Sequence, residues 1–571
     1  MVETETTRDG RRDEATRDDR QDEATRDGRR DEATSGEATP DGADTDETAQ
    51  GETTNLDSVE RHLESRLPDH PAPGVSVALV DGGETVYAAG FGERDAERGA
   101  PATAETIYGI GSATKPITAT AVLQLVAEGE LSLSEPVSTF LPAFGEAPGE
   151  PITVHDLLSH TSGMPPDDLA TVLLAEGAMG IDLPAGPTAD DWPSFSEHVA
   201  ETASERQLDG RFRYYNTGYT ALSRLIELVS GTSFRQYVRE SVLDPVGAER
   251  ATFDGSVIDG TTDAKTDAGD TRTDAGDAVT DVMRPYRQTE DGRLQPASFP
   301  DSPLLDGPGG LLASVRDVAA FLGAFTGEAE LLSAELREQL FEPVGVMDTL
   351  VDGTERGYGY GWETRQFGDD ELLGHSGGTG VSSAYVGLLR ERGVGVVVAC
   401  NAMASPSPTT LATELLAVYT GRDPDRLLPE RAIERKARAV TGQYESTSGL
   451  RAAAVEWDGD RLQLEFQSPI DRETVAFRPA SPDPDDYTFL ADDDEERRRA
   501  VFEFHDECDG EHDTSGEGGD DSGEECRDSD GEPDGNSEAV TLHIDWSVLH
   551  RVDTVPDGDS EGATDDPRET E

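Results

Sequence analysis

Ser112 and Lys115, in the run Ser112-Ala113-Thr114-Lys115, are spaced to do chemistry together. Three positions apart on a helix, two side chains share one face. A serine hydroxyl is a poor nucleophile until a neighbour takes its proton. A partly buried lysine can take it, because burial lowers the pKa of an amine. At a helix N-terminus the dipole also disfavours the ammonium and steadies a developing oxyanion. By itself the pair fits equally well a serine that caps a helix beside a solvated lysine. Lysine is scarce, however. It occurs only at Lys115, Lys265 and Lys436, so 44 of the 47 basic residues are arginine.

Two further constellations could complete a site. In Tyr214-Tyr215-Asn216 a phenol could relay protons, and an amide could hold both the lysine and a substrate carbonyl. Taken alone, the tyrosines read as strand or core aromatics. In His375-Ser376-Gly377-Gly378 the glycines precede a strand at 384–389 and would let a substrate approach the backbone. A backbone N–H there could pair with that of Ser112 as an oxyanion hole. Alone, this run reads as a glycine-rich turn with an exposed histidine. His155 and His160 are five apart and lack the spacing of a zinc-binding helix pair, so no metal and no cofactor is expected.

These residues need elements to hold them. Leu56, Val59, Leu63 and Leu67 have helical spacing. Residues 74–80 and 84–90 read as strands around the turn Asp81-Gly82-Gly83. Residues 112–128 read as a buried helix stopped at Gly129, and 150–250 as mainly helical. Residues 357–362, 384–389 and 393–400 return to strand character. A helix and hairpin first, with more strands much later, predicts an α+β fold: an antiparallel sheet closed by its own ends, with a helical subdomain. After a composition break at 421–438, short alternating segments predict a small antiparallel β-domain. The expected organisation is a tail at 1–55, a catalytic domain at 56–421 with a low-complexity insertion near 257–282, a β-domain at 435–552 with an acidic insertion near 506–537, and a tail at 553–571. The first tail repeats a nine-residue polar unit from Thr7, Thr16 and Thr25 and offers no core.

The 571 residues carry 119 acidic and 47 basic side chains, a formal net charge of −72. Such self-repulsion is relieved at molar salt, where the Debye length is about 3 Å. An acid-rich, lysine-poor composition resembles that of proteins from salt-accumulating halophiles. It argues against nucleic acid as a partner, since a phosphate backbone would be repelled. No run approaches a membrane span, and Met1-Val2-Glu3-Thr4-Glu5 lacks the pattern of a signal peptide. A cytoplasmic location is expected. Cys400 lies in an apolar run and reads as a buried hydrophobe, whereas Cys508 and Cys526 lie in acidic low complexity. The oligomeric state is left open.

Taken together and in order, these motifs resemble the serine β-lactamase and penicillin-binding-protein superfamily, in the branch with class C β-lactamases, D,D-carboxypeptidases and related esterases. Ile107-Tyr108-Gly109-Ile110-Gly111, the run from Ile152 to Gly163 around His160-Thr161-Ser162-Gly163, and Gly309-Gly310-Leu311 extend the resemblance over about 56–420. Within the second run, His160, Thr161 and Ser162 read as support for the fold rather than as chemistry. The resemblance implies an acyl-enzyme on Ser112, proton transfer by Lys115 and Tyr214, and substrate orientation by Asn216. It implies an oxyanion hole from the N–H groups of Ser112 and Gly378. His375, with Gly377, would stand where many β-lactamases carry the lysine of Lys-Thr-Gly. A histidine carries only part of a charge near neutral pH, so esters, amides or D-amino-acid peptides are expected ahead of β-lactams as small-molecule substrates. The competing expectation is a non-catalytic binding or assembly protein on the same fold, which would show no turnover on esters or D-peptides.

Overall fold

The structure, a computed structural model, describes residues 44–552 except 69, 166–167, 180–190, 260–280, 290–292, 328–329, 350–353, 404–406, 458–460, 468–471, 482–485, 492–497, 506–538 and 545–546. The repeat tail, most of the low-complexity insertion, Cys508, Cys526 and the C-terminal tail therefore lie outside the described residues. The chain divides into two units between Glu52 and Thr53, and the second carries every described strand and the candidate site.

Helix α1 (Asp44–Arg66) begins earlier than the apolar spacing from Leu56 predicts, and buries Val59 and Leu63. Three strands follow: β1 (Gly74–Asp81), β2 (Glu84–Asp95) and β3 (Ala100–Pro101). Helix α2 (Lys115–Ala127) is buried nearly all round. Helix α3 (Asn216–Ser230) ends on Gly231 at φ 74°, and α4 (Val315–Thr326) starts from a capping box of Ser314 and Asp317. Six more strands are β4 (Gly345–Thr349), β5 (Glu355–Tyr358), β6 (Glu363–Phe367), β7 (Asp370–Gly378), β8 (Ser383–Leu389) and β9 (Val394–Cys400). The strand predicted at 357–362 thus stops at Tyr358, and Gly361 at φ 76° turns the chain into β6.

The nine strands form one antiparallel sheet in the order β3-β2-β1-β9-β8-β7-β6-β5-β4. The register Val75↔Cys400 to Asp81↔Val394 joins the early hairpin to the last strand, which closes the sheet by its two ends. Side chains alternate along β1. Val75, Val77 and Leu79 pack with Val59 and Leu63 of α1 and with Leu411 and Leu415 of α5 (Pro408–Tyr419). Ala78 and Val80 face the other way, towards Ile117 and Val122 of α2 and Phe321 and Leu322 of α4. Helices cover both faces, so β8 and β9 are buried at every residue and read as continuous apolar runs. Cys400 is a free, buried thiol in β9.

Helix α6 (Pro429–Val440) leads out of this body. Its Arg431 reaches Glu414 of α5 at 3.4 Å, and the same buried carboxylate takes His62 at 2.8 Å and Arg66 at 3.0 Å from α1. Burial alone would raise the Glu414 pKa, but the hydrogen bond to His62 and the charges of Arg66 and Arg431 hold it below the ordinary value. Beyond α6, eight strands form a closed antiparallel barrel: β10 (Gly442–Glu445), β11 (Ala452–Trp457), β12 (Leu462–Gln467), β13 (Arg472–Pro479), β14 (Thr488–Ala491), β15 (Arg499–His505), β16 (Ala539–Ile544) and β17 (Ser547–Val552). Closure comes from β10 pairing with β17, Gln443 opposite Val552. The interior is filled by Tyr444, Phe477, Phe489 and Phe502 among others. No helix among the described residues is long and apolar enough to cross a membrane.

Candidate active site

The first turn of the expected helix at 112–128 is not α-helical. Gly111–Thr114 is a 3-10 turn, and α2 begins at Lys115 with Pro116 in its first turn. The difference matters, because side chains at i and i+3 eclipse in a 3-10 turn. Ser112 and Lys115 are therefore brought directly in line. Lys115 Nζ lies 3.0 Å from Ser112 Oγ. It also donates to Asn216 Oδ1 at 2.7 Å and to the Pro308 carbonyl at 2.8 Å. The lysine is fully buried, whereas Ser112 is partly exposed. Both other partners are oxygens that can only accept.

Each partner is fixed by a different element. Asn216 is the first residue of α3. The chain entering that helix is anchored on His160, whose Nδ1 accepts from the Tyr215 N–H at 3.0 Å and whose carbonyl accepts from the Arg213 N–H at 2.8 Å. His160 is fully buried, at φ 58° in the left-handed region that histidine tolerates better than most residues. Its ring lies 4.5 Å from that of Tyr214 and 4.9 Å from that of Tyr358. Burial, then the charge of Lys115, holds its pKa well below the ordinary value. Tyr214 is half-buried, with Lys115 Nζ 4.7 Å from its ring centroid. The Pro308 carbonyl belongs to a short helix, Asp306–Gly309. Arg235 grips that helix through Asp306 at 2.7 and 3.0 Å. Pro308 and Asp306 escape a reading of the sequence, since a backbone carbonyl has no side-chain signature; the neighbouring Gly309-Gly310-Leu311 is the nearest signal.

Residues 375–378 are not a turn but the end of β7. Pairing of β7 with β6 stops at Gly374↔Glu363, whereas pairing with β8 runs on to Gly378↔Ser383. Beyond Gly374 the edge of β7 towards β6 has no strand partner: the Ser376 N–H bonds the Glu363 carboxylate, and Gly377 and Gly378 lie beside the Ser112 turn. The backbones touch there. A Cβ on Gly111 (φ 54°) would stand 2.5 Å from the Gly378 nitrogen, and one on Gly377 only 1.9 Å from the Ile110 carbonyl oxygen. Neither position admits a side chain.

His375 is buried rather than exposed. Its Nδ1 lies 2.6 Å from the Ser376 carbonyl and so carries the proton; Nε2, 3.0 Å away, accepts from the Tyr358 hydroxyl. Burial, with Lys115 next, pushes its pKa down to about 3. The ring is therefore neutral at pH 7, where the sequence suggests a partial charge. Ser112, Asn216 and Gly378 line one pocket, with an apolar wall that includes Leu174 and Phe299. His155 pairs with Tyr360 at 2.6 Å, and no group of three His, Cys, Asp or Glu suited to a metal occurs among the described residues.

A two-sided antiparallel sheet, a Ser-x-x-Lys turn and a strand edge beside it define the serine-hydrolase-type fold of the β-lactamases and penicillin-binding proteins. Residues 58–420 match the family model for beta-lactamase, and residues 424–513 match that of the Pab87 octamerisation domain. The chain belongs to the beta-lactamase family. It is 28% identical over 397 residues to penicillin-binding protein 4 of Amycolatopsis lactamdurans, covering 67% of this chain and 95% of that protein. It is 24% identical over 347 residues to protein flp of Staphylococcus aureus (strain MW2), spanning 60% of this chain and 62% of that one. The octameric penicillin-binding protein homologue from Pyrococcus abyssi superposes with a TM-score of 0.69 at 30% identity, over 87% of this chain and 100% of that one.

Proposed function

We propose that the chain is a serine hydrolase that cleaves an ester or amide through an acyl-enzyme on Ser112. The observation that carries this reading is the Lys115 amine 3.0 Å from Ser112 Oγ, with acceptors at Asn216 and Pro308. Lys115 takes the serine proton as Oγ bonds to the substrate carbonyl carbon. The N–H groups of Ser112 and Gly378 hold the resulting oxyanion. Collapse breaks the bond to the leaving group, which receives the proton through Lys115 and Tyr214. Water then attacks the ester on Ser112 by the same groups in reverse, freeing the acid. Asn216 orients the substrate carbonyl and the lysine. His375 acts as a positioning residue, holding the end of β7 through Ser376 and Tyr358.

Neutral His375 stands where a fixed cation would favour a β-lactam carboxylate, so esterase or D-amino-acid amidase activity is the reading ahead of β-lactamase. The test is a panel of short- and long-chain esters, D-amino amides and a chromogenic cephalosporin in molar salt. Ester or amide turnover exceeding cephalosporin turnover supports the reading; cephalosporin as the best substrate contradicts it. The match at 424–513 and the Pyrococcus relative support assembly into an octamer through the C-terminal region. Light scattering of the full chain should then give about eight times 61.1 kDa; a monomer mass in molar salt would contradict it. The acidic composition supports work in concentrated salt.

A further inference from the structure

We infer that the site takes substrates with no free carboxylate near the scissile bond and with an apolar group against the Leu174–Phe299 wall. The inference rests on the proposed acyl-transfer function and narrows its substrate class.

The pocket that contains Ser112 has Leu174, Phe299, Pro300 and Leu305 on its walls, with Asn216 and Thr379 among its polar groups. Its described lining includes no arginine, lysine or histidine. The walls pack closely on glycines. The Phe299 ring lies where a Cβ on Gly109 would be, 2.3 Å away, and Pro300 lies 2.7 Å from such an atom on Gly177. At the rim, Met403 is 47% exposed, and its Sδ and Cε stand 3.2 and 3.1 Å from where a Gly378 Cβ would be. An apolar thioether thus flanks the end of the strand edge beside Ser112. Inside, Lys115 is already committed to Asn216 and Pro308, and His375 turns both ring nitrogens away to Tyr358 and Ser376.

A carboxylate entering such a pocket loses water without gaining a charged partner, which is strongly unfavourable. An apolar chain on the wall is favoured instead, at about 0.8 kcal/mol per buried methylene. The chain's net charge of −72 adds a field that repels anions at low salt.

Two matched pairs of substrates test the inference. One is p-nitrophenyl butyrate against the mono-p-nitrophenyl ester of succinate. The other is N-acetyl-D-phenylalanyl-D-alanine amide against its free acid. Both are run on the full chain in molar potassium chloride, which screens the global field. The neutral member of each pair is expected to have kcat/KM higher by about tenfold or more. Met403→Arg, at an exposed position, should narrow the gap by speeding the acids. Leu174→Asn should lower kcat/KM about tenfold for the butyrate and by a smaller factor for p-nitrophenyl acetate, whose acyl group reaches less of the wall. Acids turned over as fast as their neutral partners would overturn the inference, as would equal losses on both esters in Leu174→Asn. Absence of any turnover, with no acyl group on Ser112, would instead overturn the acyl-transfer reading beneath it.

Discussion

Lys115 Nζ lies 3.0 Å from Ser112 Oγ because a 3-10 turn, rather than an α-helical one, separates them. A fully buried amine is expensive to desolvate, and here it is bonded to neutral oxygens of Asn216 and Pro308. Lys115→Met keeps the volume and removes the amine. Its kcat should fall by about 10³–10⁴, while the melting temperature stays equal to or above that of the wild type. Parallel kinetics and thermal melts check this. A variant that keeps its activity, or loses it by unfolding, contradicts the role proposed for the lysine.

The contact between the Ser112 turn and β7 depends on two glycines. Gly377→Ala would drive a methyl group to 1.9 Å from the Ile110 carbonyl oxygen. Gly111→Ala adds strain at φ 54° as well as a 2.5 Å contact with the Gly378 nitrogen. Each should destabilise the fold by about 1–3 kcal/mol and should lower kcat more than it raises KM, since the turn and the strand edge are pushed apart. Gly145→Ala is the control, because that residue is exposed and a Cβ there meets only the Ser138 Cβ, at an ordinary 3.6 Å. Chemical denaturation and steady-state kinetics on the three variants distinguish the outcomes.

Buried His375, with its pKa lowered to about 3, makes the stability of the fold sensitive to acid. In the unfolded chain the ring protonates near 6.5. Between these values the unfolded state binds more protons, so stability is full above pH 6.5 and is lost as pH falls towards 3. The slope from this ring is at most about 1.4 kcal/mol per pH unit. His160, also held low, adds to it. Denaturant melts from pH 8 to pH 4 should show a shallower dependence in His375→Gln than in wild type. Identical slopes would mean that the ring takes up its proton equally in the folded and unfolded chain, contradicting its lowered pKa.

The charge of −72 makes salt a stabiliser. Raising potassium chloride from about 0.1 M to molar levels shortens the Debye length from about 10 Å to about 3 Å. The melting temperature should rise steeply over that range and flatten above it. A melting temperature that falls with added salt would contradict the reading of the acidic surface.

Much of this architecture is legible in the residues. The runs that form β8 and β9 stand out because both of their faces are covered. Ser112, Lys115, Asn216 and Gly378 are readable because side-chain type and glycine leave marks in a sequence. What escapes is set by distant contacts or by backbone. The 3-10 turn at Gly111–Thr114 depends on Gly111 packing on Gly378 from the far strand. The neutrality of His375 depends on Tyr358 and on burial, neither of which is local. Closure of the barrel depends on Gln443 meeting Val552 across the whole domain. His160 reads in the sequence as support for the fold, but its grip on the chain that delivers Asn216 comes from a left-handed backbone that no motif records.

The most direct test of the central claim is the mass of the Ser112 peptide after reaction with a fluorophosphonate in molar salt. One adduct per chain is expected, on Ser112 Oγ, strongly slowed in Lys115→Met and absent in Ser112→Ala. Labelling that persists unchanged in folded Ser112→Ala, or an adduct on another residue, would contradict acyl transfer through this serine.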